Sequence, residues 1–130
     1  MNSDRFLCCN YYLDSLKRQL SILINKSNYC DELIYDHLRL AIIDICIIFG
    51  LDGNSPFPIV GIEGFLSKYQ ENLQDIRVMR NDLIAHSFDP STANTNKKSN
   101  HDKVPGLLEK YKDPMSGNFT SDLINLISNQ

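Results

Sequence analysis

Apolar residues at Phe6, Leu7, Leu13, Leu16, Leu20, Ile22 and Leu23 recur with loosely helical spacing and predict a first helix from about Asp4 to Asn25. Lys26-Ser27-Asn28 interrupts it. Asn28 is a candidate N-cap for a second helix, with Asp31 and Glu32 suited to the positive end of its dipole. That helix runs to Phe49 and should stop at Gly50. Its stretch Leu40–Phe49 is apolar nearly all round, which predicts the most buried element of the fold. Leu51 to Pro58 reads as a loop from its Gly, Asn and Pro content.

A third helix is expected from about Ile62 to Ser87, with one packing stripe through Ile62, Leu66, Tyr69, Leu73, Ile76, position 80 and Leu83. Position 80 should be apolar, and it is Arg80. From Asp89 to Lys103 the chain is almost entirely polar and reads as a long loop. Two short helices should follow, near Val104–Tyr111 and Ser121–Ser128, with Thr120 capping the latter. No repeat, Gly-rich phosphate loop or alternating strand pattern is present, so the expected fold class is all-α with four to five helices.

At 130 residues the chain suits one domain, residues 1–130, with a core large enough to do without disulfides or metal. The formal charge of −3 argues against a broad nucleic-acid-binding surface, though it leaves room for a small RNA site. Cys8, Cys9, Cys30 and Cys46 form no C-x-x-C pair, and the three histidines lie far apart, so no zinc template is expected. Four reduced thiols suit a cytoplasmic protein. The N-terminus does not read as a signal peptide, and Leu40–Phe49 is too short to span a bilayer, so no membrane association is expected. No cofactor is called for.

An arginine on a packing stripe keeps its proton when buried and must meet an anion, a carboxylate or a wet cleft. Arg80 therefore either pairs with an acid such as Asp44, emerges at an oligomer interface, or lines a cleft and binds phosphate. His86, six residues on, lies about 240° round an ideal helix and roughly 9 Å further along. The two side chains diverge on one straight helix, so a second copy or a frayed end is needed to bring them together. Asp82 precedes His86 by one turn and can orient its imidazole. Otherwise His86 is a helix C-terminal histidine meeting free carbonyls. Asp44, set among isoleucines, should pair with Arg80 or Arg39, cap a buried network, or face the cleft as an outer support of the site. His37 reads as an ordinary, partly exposed histidine. Lys97, Lys98, His101 and Lys103 form a basic cluster, either solvated or reaching RNA phosphates. The six tyrosines are scattered and suggest no stacking platform.

Arg80-Asn81-Asp82-Leu83-Ile84-Ala85-His86 resembles the motif of the HEPN superfamily, an Arg followed after a short helical spacer by His. Val78 to Asp89 is similar to the abortive-infection branch of that family, and Leu38 to Gly50 resembles the branch's buried second helix. The likeness spans roughly Tyr35 to Asp89. It implies a HEPN-like antiparallel helical bundle forming a two-fold dimer, with motif helices of both subunits building one cleft. It also implies a metal-independent endoribonuclease of a toxin or phage-defence type, with RNA as substrate and an antitoxin or regulatory protein as partner. His86 would be the general base on the ribose 2′-OH, and Arg80 would stabilise charge on the phosphate. Asn81 and Asp82 would support them, and the products would be a 2′,3′-cyclic phosphate and a 5′-OH. One toxin branch carries a modifiable Tyr two residues after the His; here that position is Phe88, which cannot take that modification. The alternatives are a catalytically silent HEPN-like module that binds a partner, or a helical bundle that only dimerises.

Overall fold

A computed structural model of the chain describes residues 3–25, 31–51, 53–81 and 118–130. Helix α1 covers Ser3–Ile24. Leu13, Leu16, Leu20 and Leu23 recur at intervals of three and four and are all buried, while Asp14, Lys17, Arg18 and Ser21 face solvent. Its end is closed by Asn25, whose side-chain amide donates to the Ser21 carbonyl at 2.9 Å.

Helix α2 covers Asp31–Phe49 and buries Ile34, Leu38, Ala41, Ile42, Ile45, Cys46, Ile48 and Phe49. Leu40–Phe49 is thus mostly interior, as its composition suggests, but Leu40 is exposed and Ile43 and Ile47 are only half-buried. The stop at Gly50 has the expected cause. Gly50 sits at φ +69, its N–H points to the Ile47 carbonyl at 3.4 Å, and Leu51 donates to the Cys46 carbonyl at 2.9 Å. These are the paired bonds of a left-handed helix terminus. A Cβ at Gly50 would collide with the Asn54 carbonyl oxygen and lie 2.8 Å from the Pro56 nitrogen.

The expected third helix is interrupted. Helix α3 covers Ile62–Lys68 and helix α4 covers Gln70–Arg80, with Tyr69 between them at φ −115, ψ 34. Hydrogen bonds still bridge the break, from Tyr69 to Phe65 and from Leu73 to Tyr69, so it is a kink in one helical path. The stripe also ends differently. Ile62, Phe65, Tyr69, Leu73, Ile76 and Met79 are buried, and Leu66 and Arg80 are only half-buried. Met79 takes the interior position expected of residue 80, which leaves Arg80 at the edge of the packed face.

Helix α5 covers Asn118–Ser128 and starts before the expected cap, so Thr120 lies inside it. Phe119 accounts for the earlier start: within the helix its ring meets Phe65 at 5.7 Å and Tyr69 at 5.4 Å. The expected helix at Val104–Tyr111 and the loop 89–103 lie outside the described residues.

Two contacts give the relative direction of α1 and α2: Ser15 meets Asp44, and Gln19 meets His37. Sequence rises on one helix as it falls on the other, so the pair is antiparallel. Likewise Val60 meets Gln130 while Tyr69 meets Asn118, so α3 and α5 run in opposite directions. Helix α2 packs on both α1 and α4, and α5 on α1 and α3. The described elements are all helical. No described helix is long and apolar enough to cross a membrane. Cys8, Cys9 and Cys46 are thiols that form no disulfide among the described residues.

Candidate functional site at the end of helix α4

Arg80 and Asn81 sit where α4 ends. Asn81 keeps helical backbone angles, φ −64 and ψ −42, and its N–H reaches the Arg77 and Val78 carbonyls. Both side chains are therefore aimed by a hydrogen-bonded helical turn and not by a free loop. The Arg80 guanidinium donates to Asn81 Oδ1 at 3.3 Å, and both residues are half-buried. An amide oxygen is a neutral acceptor, so this contact orients the guanidinium without neutralising it. Among the described residues it has no carboxylate partner. Exposed Arg77 lies one turn earlier on the same helix, and both cations suit the negative end of the α4 dipole. Asp82 and His86, like Lys97, Lys98, His101 and Lys103, lie outside the described residues.

The pairing of Asp44 with Arg80 or Arg39 does not occur. Asp44 is buried and accepts a 2.6 Å hydrogen bond from Ser15 Oγ, while Arg39 pairs on the surface with Asp36 at 3.6 Å. Of the readings offered for Asp44, the buried network is the one its described contacts match. A second polar contact continues the layer between α1 and α2: half-buried His37 meets the oxygen of buried Gln19, so Nδ1 carries the proton when that oxygen faces it. Ser15 and Gln19 flank Leu16 and Leu20 one residue off the apolar stripe, the signal that could have marked them as buried.

Burial pushes the Asp44 carboxyl above its ordinary value, and the Ser15 hydrogen bond and the nearby charge of Arg18 pull it back only in part. A carboxyl raised in the folded state favours the protonated fold. Its charged form therefore weakens stability progressively as pH rises from the ordinary value through the raised one. Asp44→Asn, which keeps an acceptor for Ser15, should be at least as stable as wild type at pH 7. That advantage should shrink as pH falls toward 4, as followed by thermal melts across pH. Ser15→Ala strands the buried carboxylate and should cost about 1–3 kcal/mol at pH 7.

A polar cluster that the sequence did not announce joins the kink to α5. The Tyr69 hydroxyl donates to Asp122 Oδ2 and, at 3.3 Å, to the Asn118 carbonyl. The Lys68 ammonium reaches the same Asp122 oxygen at 3.1 Å and sits 5.3 Å from the Tyr69 ring centroid. The bond to Asp122 holds the Tyr69 phenol above its ordinary value, so it stays neutral and cannot serve as a base. This cluster fastens the α3–α4 bend. Tyr11, Tyr12 and Phe57 also converge, at 5.2 and 6.2 Å between successive rings, with Tyr11 outermost.

The chain matches no known protein-family model, no curated protein and no solved structure. A guanidinium at a helix end, half out of water and with no carboxylate partner among the described residues, is suited to an oxyanion such as a phosphate. Among the described residues no three His, Cys, Asp or Glu side chains are grouped to hold a metal ion.

Proposed function

We propose that the chain is a metal-independent endoribonuclease of a toxin or phage-defence type, with a HEPN-like fold and a two-fold dimeric site. The observation that carries this reading is Arg80, half-buried at the end of α4, with neutral Asn81 and no carboxylate as its partner among the described residues. In the proposed reaction His86 takes the proton of a ribose 2′-OH, and the 2′-oxygen attacks the adjacent phosphorus. The 5′-oxygen leaves and takes a proton from the imidazolium. Arg80 and the Asn81 amide bear on the phosphate oxygens as charge grows there, and Asp82 orients His86. RNA incubated with the protein in EDTA should be cut to 2′,3′-cyclic phosphate and 5′-OH ends. A requirement for Mg²⁺ or Mn²⁺ would rule this mechanism out.

A second copy would bring Arg80 and His86 together, since the two would diverge on one straight helix continued past Arg80; a frayed helix end is the other way to join them. The dimer implied by the resemblance puts the motif-bearing helices near its axis, and the outer face of α2, the helix packed on α4, offers an apolar seam for the same pairing. Leu33 and Leu40 are 45% and 42% exposed, with half-buried Ile43 and Ile47 on the same heptad-spaced strip. Positions 33 and 47 are equidistant from 40. An antiparallel two-fold pairing through Leu40 would seat Leu33 against Ile47 of the partner subunit. Leu40→Glu should convert the dimer to monomer in sedimentation while leaving helicity unchanged, and cleavage should fall with it. A catalytically silent HEPN-like module that binds a protein partner or a nucleotide is the alternative, and the net charge of −3 slightly favours it.

A further inference from the structure

We propose that the cleft between the C-terminal halves of α1 and α5 binds a small monocarboxylate with an unbranched apolar body of about eight to ten carbons. The cleft is a half-open cavity of about 290 Å³, close to the smallest volumes typical of ligand sites. Its floor is Leu20 and Ile24 from α1 with Ile124 and Ile127 from α5, and its rim carries Lys17 and Ser21. Leu20 and Ile127 belong to the core, whereas Ile24 is 40% exposed, so the apolar floor opens directly to water.

Charge sets the class of ligand. Among the described residues no aspartate or glutamate lines the cavity, and none forms an ion pair with the Lys17 ammonium. Lys17 lies nearly two turns before the end of α1, beyond the last turn in which a helix terminus repels an anion. A carboxylate is therefore favoured at the Lys17 end and an uncharged tail toward Asn25. Length agrees with this placement. Lys17 and Asn25 both line the cavity and are eight residues apart, about 12 Å of helix at 1.5 Å per residue. An extended ten-carbon chain, at roughly 1.3 Å per carbon, spans about the same distance.

The probe is decanoate below its micelle concentration, titrated into the full chain and followed by methyl NMR and calorimetry. Saturable shifts confined to the methyls of Leu20, Ile24, Ile124 and Ile127 are expected, with a Kd below about 1 mM. Lys17→Gln should weaken decanoate about threefold to fivefold, the scale of one exposed charge, and should leave decanol unchanged. Ser21→Trp, at an exposed position on the rim, should fill the cleft and abolish the shifts while the melting temperature holds. The proposal is overturned if decanoate shifts nothing saturably. It also falls if Ser21→Trp binds like wild type, or if decyltrimethylammonium binds as tightly as decanoate.

Discussion

If the proposed reaction holds, His86→Ala should reduce RNA cleavage by about 10²–10⁴-fold, the usual contribution of a positioned general base. Arg80→Ala should lose as much, because a preorganised charge facing a developing anion commonly contributes about 3–4 kcal/mol. Arg80→Lys is the sharper variant. It keeps the charge but not the planar fork, and the fork is what can hold Asn81 Oδ1 at 3.3 Å while presenting its remaining donors to two phosphate oxygens. Its cleavage rate should therefore sit near that of Arg80→Ala and far below wild type. Folding is a separable readout. Asp44 is held by Ser15 and Arg80 is only half-buried, so removing the guanidinium strands no Asp44 carboxylate. All three variants should keep the wild type's helicity, its oligomeric state and its melting temperature to within a few degrees. If His86→Ala cuts RNA at the wild-type rate, or wild type cuts none in the presence or absence of divalent ions, the nuclease reading is lost and the partner-binding module remains. Asn81→Ala should show a smaller loss and a looser Arg80, because the helix end still supplies the backbone geometry.

Where local chemistry decides, the fold could be read from the residues. The leucine spacing of α1 and the glycine at 50 placed helix ends within a residue or two, since both depend only on near neighbours in sequence. The kink at Tyr69 was not readable. Neither Gly nor Pro marks it, and the phenol that turns there answers to Asp122, 53 residues away. Arg80 shows a subtler failure. Apolar residues at 76, 79 and 83 fit two helical registers, and only packing decides that Met79 goes inside. Charge suggests a cation as the partner of Asp44. The hydroxyl of Ser15 satisfies it instead, at less desolvation cost than a buried guanidinium. Of the candidate site, Arg80 and Asn81 are placed together at one helix end, and Asp82 and His86 lie outside the described residues.

The largest loss of stability should follow Phe65→Ala. Phe65 is 7% exposed and joins three elements through aromatic contacts: its ring lies 5.2 Å from Phe49 at the end of α2, 4.8 Å from Tyr69 at the kink, and 5.7 Å from Phe119 in α5. Truncating a buried phenylalanine typically costs about 3–5 kcal/mol, a large share of the roughly 5–15 kcal/mol that holds a domain folded. For a chain of this size that corresponds to a fall in melting temperature of about 10–20 °C. Phe65→Leu keeps much of the volume and loses the ring contacts, so its cost isolates the aromatic contribution, about 0.5–1.5 kcal/mol per pair. The loss should also be local in character. Helix α5 is held to α3 by Phe119 and by the Tyr69–Asp122 contact, both of which lean on the Phe65 ring. Amide exchange in α5 should therefore accelerate more than exchange in α1 or α2. A cycle of Phe65→Leu with Phe119→Leu should return a coupling of at least about 0.5 kcal/mol, because the rings touch. Val60→Ala, at a residue 83% exposed, serves as the control and should change stability by no more than about 0.5 kcal/mol. A Phe65→Ala cost below about 1 kcal/mol, or no coupling to Phe119, would mean that α5 does not pack on α3 through this cluster.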